Sequence, residues 1–129
     1  MDYKTRITIE LSDYGAEGQI VMGPAPWTTI KRFQQRATRL VPPGKDGRPD
    51  YSKADVVSSN ILDVLLFVRE APFVADLEPF FDFMDKLDAK ELGSAERLYA
   101  EMEKVAARIF SGEESPLAVS QAAETTDSA

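Results

Sequence analysis

The chain contains neither cysteine nor histidine. Disulfides, thiolate nucleophiles, imidazole bases and the usual zinc sites are therefore excluded. No apolar run approaches the ~20 residues needed to cross a bilayer. The opening Met1-Asp2-Tyr3-Lys4 has no apolar h-region, so a secretory signal peptide is not expected. Basic residues are outnumbered, 15 against 22 acids, for a net charge of −7. Aromatic residues make up only 9%, with a single tryptophan. The 129 residues, 43% of them hydrophobic, can bury one real core but not two large domains. With most hydrolase machinery missing, a non-enzymatic helical interaction protein without a cofactor is the first expectation.

The charge is divided along the chain. Residues 1–53 carry nine Lys/Arg and six Asp/Glu, a net of +3, whereas residues 54–129 carry a net of −10. This excess of acid argues against general nucleic-acid affinity, because most of the chain would repel phosphate. An acidic half that simply keeps a helical protein in solution is one reading. Two halves that face different partners is the other.

The first segment reads as a β-hairpin. Thr5, Ile7, Ile9 and Leu11 alternate with Arg6, Thr8 and Glu10, Ser12–Gly18 is rich in turn residues, and Gln19–Met22 returns as the second strand. A ribbon this small is marginal alone, so it must pack on helices or pair with another copy of the chain. Pro24 and Pro26 end it. A helix over about 28–40 follows, with Thr28 as N-cap and Ile30, Phe33, Ala37 and Leu40 as its apolar stripe. The Pro/Gly-rich stretch 41–52 is a loop.

The second helix is expected to begin at Ser52 or Lys53, where Ser52 and Asp55 resemble a capping box, and to run to Glu70 before Pro72 stops it. Its segment Ile61–Val68 is apolar except for Asp63, which suits a central helix covered on several sides; a buried strand is the competing assignment. A short third helix covers about 77–87, opened by Asp76 or Glu78 with Pro79 in the first turn. The fourth starts at Asp88 or Ser94 and ends near Gly112, with a stripe of Leu98, Met102, Val105 and Ile109 widened by Ala106 and Phe110. The pattern predicts one α+β domain over 1–112, a small N-terminal hairpin packed on three to four helices. Leu62, Leu65, Leu66, Phe81, Leu98 and Met102 are expected among its most buried residues. Residues 113–129, with four acids and no base, are expected to form a disordered acidic tail.

Three features bear on function. Glu78, Asp82 and Asp85 fall at i, i+4 and i+7, so they share a helix face. They are the best lead for an acid–base enzyme, but a solvated helix face gives the same spacing. Pro43-Gly44-Lys45-Asp46-Gly47 lacks the remainder of a P-loop, and Asp46 and Asp50 lack the register of a calcium loop. Trp27 opens a helix that carries Lys31, Arg32, Arg36 and Arg39 and no acid. Trp27 either closes the hairpin over the core or joins these cations in a binding surface. That surface would take a protein partner or, alternatively, would stack a base and hold phosphates in a small nucleic-acid-binding regulator.

The order of elements resembles the tail assembly chaperones of long-tailed bacteriophages and their prophage relatives. The likeness rests on the β-like opening that leads into Trp27-Thr-Thr-Ile-Lys-Arg-Phe33. It continues through the apolar helix Ala54–Val68 and the segment Leu77-Glu-Pro-Phe-Phe-Asp-Phe-Met-Asp-Lys-Leu87, which precedes another helix and a polar tail. It covers residues 5–112 in outline. The resemblance implies an adaptor in the bacterial host cytoplasm that binds the tape measure protein and recruits tail-tube subunits. In some family members a longer product is made by ribosomal frameshifting. It implies no catalytic residues, and Trp27, Lys31, Arg32, Arg36 and Arg39 are the candidate protein-binding positions.

Overall fold

In the computed structural model, residues 4–111 are described. The tail expected over 113–129 lies outside the described residues. Strand β1 (Ile7–Glu10) pairs antiparallel with β2 (Gln19–Met22), Ile7 opposite Met22 and Ile9 opposite Ile20. The turn between them contains a short 3-10 helix, Leu11–Tyr14, closed by Gly15 at φ 81°. That left-handed conformation suits a residue without Cβ.

A third strand, β3 (Val68–Glu70), lies on the other side of β2, antiparallel, with Met22 opposite Val68. The hairpin is thus part of a three-stranded sheet of order β1-β2-β3. This corrects the expected second helix. Helix α2 spans only Val56–Leu65, and the chain turns through Leu66 and Phe67 into the strand. The reason is tertiary. β2 offers an open row of backbone donors and acceptors, and Val68 pairs there while burying its side chain. The Gly23 amide extends the contact by donating to the Phe67 carbonyl at 2.9 Å. A Cβ on Gly23 would meet the Thr5 carbonyl oxygen at 2.5 Å, so the close approach needs glycine.

Helix α1 spans Trp27–Thr38 with Pro26 at the N-cap, one residue before the expected Thr28 cap. Pro26 holds an extended conformation and its carbonyl accepts from the Ile30 amide at 3.0 Å. At α2 the cap is Asp55, which accepts from the Ser58 amide at 3.0 Å, and that bond lowers its carboxyl pKa. Ser52, the expected cap, instead sits in a 3-10 turn over Tyr51–Lys53 held by Asp50. Helix α3 (Leu77–Lys90) is capped by Asp76, whose carboxylate accepts from the Leu77 amide at 2.8 Å. Helix α4 runs Ser94–Ser111. Asp88 does not start it but serves it from α3, accepting from the Gly93 and Ala95 amides at 3.2 and 3.0 Å. These are donors that a helix N-terminus leaves unpaired.

One core joins sheet and helices: Ile9, Leu11, Ile20 and Met22 pack in the same cluster as Leu62, Leu65, Leu98 and Met102. Leu11, Leu65, Leu98 and Met102 are fully enclosed. Two expected core residues are only half-buried. Phe80 takes the inner place assigned to Phe81, with its ring 6.3 Å from that of Tyr99, and Leu66 lies in the turn after α2. Phe110, expected to widen the α4 stripe, is 84% exposed. Leu98→Ala is therefore expected to cost about 2–5 kcal/mol in urea denaturation, against about 0.5 kcal/mol or less for Phe110→Ala. Asp88→Ala should cost about 1 kcal/mol through the lost cap.

Candidate functional site

The candidate surface begins at Pro24-Ala25-Pro26, which brings the chain from the sheet edge to the head of α1. Trp27, the first helical residue, is 72% exposed and does not close the hairpin over the core. The buried side of α1 is set by Phe33, with Ile30, Ala37 and Leu40 half-buried beside it. This stripe starts at Ile30, one turn into the helix, so Trp27 projects beyond it. One turn on from Trp27, the Lys31 ammonium stands 5.5 Å from the indole centroid, a cation–π contact, and donates to the Gln34 side chain at 3.4 Å. Arg32 and Arg39 are exposed.

Arg36 belongs elsewhere. It is half-buried, donates through Nη1 to the Ala75 carbonyl at 3.2 Å, and places Nε 3.8 Å from Asp76 Oδ2. Its guanidinium also covers the Phe33 ring at 4.7 Å. Asp76 thus uses one oxygen to cap α3 and the other to face Arg36, which fastens α1 to the head of α3. Of the five candidates, the structure brings Trp27 and Lys31 together, leaves Arg32 and Arg39 in solvent, and commits Arg36 to the fold.

The loop after α1 is closed on itself. Pro43 and Pro49 form a bridge, the Asp50 amide donates to the Pro42 carbonyl at 2.8 Å, and Gly47 makes the bend at φ 81°. Glu78, Asp82 and Asp85 are all exposed on α3, so they do not form an enclosed acid–base pair. Among the described residues no three acids converge as metal ligands, and no helix is long and apolar enough to cross a membrane.

A second feature has no counterpart in the sequence reading. A hollow of about 370 Å³ lies where α2, α3 and α4 meet, and one of about 420 Å³ lies beside it between α2 and α4. The two share Asn60 and Glu103 in their lining and together make a groove along α4. Tyr99 lies in it, and its phenol pKa is pushed up to about 12 by burial and by the negative charges of Glu103, Glu96 and Asp63. A signal was present in α4. Ala95, Tyr99, Glu103, Ala106 and Phe110 form a second stripe beside the core stripe, with one acid in the middle.

Comparison of the chain with models of known protein families, with curated proteins and with solved structures gave no match.

The Tyr99 shift has a sign that can be measured. Its folded pKa lies above the ordinary 10.0, so the stabilisation is complete below pH 10 and is lost as pH rises towards about 12. Tyr99→Phe should flatten the fall in stability over that window, as followed by urea denaturation at pH 9 to 12. For the fastening residue, Arg36→Ala should cost about 1 kcal/mol, since the pair is partly exposed to solvent.

Proposed function

We propose that this protein is a non-catalytic binding adaptor of phage tail assembly and that it engages an acidic segment of a protein partner through α1. The observation that carries the reading is Trp27, which stands out from the head of a helix that has no acid, with Lys31 against its ring, Arg32 exposed on the same helix and Arg39 exposed just past its end. Tryptophan and arginine are the residue types that most often dominate protein–protein affinity, and exposure of both on one rigid helix supports recognition without folding on contact. The resemblance to tail assembly chaperones rests on the sequence and implies the tape measure protein and tail-tube subunits as partners; the strand β3 between α2 and α3 was not part of it.

The same tryptophan and cations would also suit a nucleic acid, and the two readings separate by experiment. The tagged chain is co-expressed with a tape measure protein and purified. Arg32→Glu and Arg39→Glu should each reduce co-purification by about tenfold, and Trp27→Ala should reduce it at least as much, with melting temperatures unchanged. Arg36→Glu is unsuited to this test because it would disturb the α1–α3 contact. Retention of nucleic acid without tail protein, weakening steeply as salt rises, would overturn the adaptor reading.

A further inference from the structure

The groove between α2, α3 and α4 has an apolar floor and an acidic rim. Ile61, Phe81 and Met84 contribute to its floor, with Leu66 and Phe67 towards its other end. Val57 and Phe110, at opposite ends, are 71% and 84% exposed. Glu96, Glu103 and Asp63 stand along its length, and no Lys or Arg contributes to either wall. Among the described residues these three carboxylates form no ion pair. Asp63 is exposed on α2, with partial burial against the groove wall raising its carboxyl pKa. Along α4 the lining extends from Ala95 to Phe110, about 22 Å at the helical rise, which matches a docked helix of about four turns.

We propose that this groove binds a basic amphipathic helix carried by a partner protein. Charge selects the occupant. An apolar helix stripe would cover the floor while flanking Lys or Arg side chains meet Glu96, Glu103 and Asp63, in the helix-in-groove mode. Nucleic acid and anionic lipid carry the sign that the rim repels. The chain's own residues 113–129, with four acids and no base, carry it too. A second copy offers its basic α1, but Phe33, Ala37 and Leu40 of that helix are already packed against its own core. The groove is a second surface, opposite in sign to α1, and it stands whether or not α1 contacts a partner.

The full chain is titrated, with fluorescence anisotropy as readout, against a labelled synthetic helical peptide of about four turns with a leucine stripe flanked by lysines. The same peptide with glutamate for lysine is run beside it. The lysine peptide should bind, and the glutamate peptide should bind at least about tenfold more weakly. Glu103→Lys and Val57→Lys should each weaken the lysine peptide by about tenfold with unchanged melting. Glu17→Lys, an equal change of net charge outside the groove, should leave binding intact, as should Trp27→Ala and Arg39→Glu, so the α1 surface and the groove are read separately. Equal binding of the two peptides would overturn the proposal. So would a Glu17→Lys loss equal to that of Glu103→Lys, or full binding by both groove variants. Self-association in sedimentation that Val57→Lys abolishes would overturn it as well, by assigning the groove to a second copy.

Discussion

The pairing of β2 with β3 is the interaction on which the rest of the molecule depends. A hairpin of two four-residue strands has too little ladder and too little buried surface to persist alone. Placing Val68 against Met22 turns β2 into a central strand, whose Ile20, Val21 and Met22 are all buried. The same pairing ends α2 at Leu65 and directs the chain towards α3. Gly23, between Thr5 and the Phe67 carbonyl, is a point of close approach between the two halves of the chain.

Much of the fold was legible because it is local. Alternation through Ile7 and Ile9, the Asp76-Leu77-Glu78-Pro79 start of α3 and the Leu98–Ile109 stripe each express a period of one element, and each formed where its period placed it. The errors fall where a second element decides. Leu65–Val68 satisfies helix and strand equally, and the choice is made by the open edge of β2. Phe80 and Phe81 are adjacent, and the phase that turns Phe80 inward is set by packing against α4 rather than by spacing. The cationic face of α1 was visible in the sequence, but the diversion of Arg36 was not, because Ala75 and Asp76 reach it from the far side of the loop and α2. The α4 stripe of Ala95, Tyr99, Glu103, Ala106 and Phe110 was there to be read, but the groove it lines exists only once α2 and α3 stand beside it.

The division of charge along the chain becomes a division in space. The cations of α1 stay in solvent near Trp27 or fasten the helix down, while the acids that flank Tyr99 gather about an apolar hollow. Apolar surface beside unpaired charge of one sign favours a partner of the opposite sign more than it favours tight binding of any partner. Burial raises the Tyr99 pKa most, and the acids beside it add to the rise.

The sheet order also has a consequence for folding from the ribosome. Sequence-adjacent strands close quickly, but the partner of β2 at Val68 lies beyond α1, the loop and α2. The hairpin therefore emerges during synthesis well before the strand that completes it, with one edge of β2 bare. Closure of that long loop is the entropically costly event, and it belongs late in the folding pathway. Until it occurs, the nascent chain presents a short strand edge to whatever lies nearby. The brevity of β1 and β2 and the prolines directly after Gly23 limit how much of a foreign strand that edge can hold.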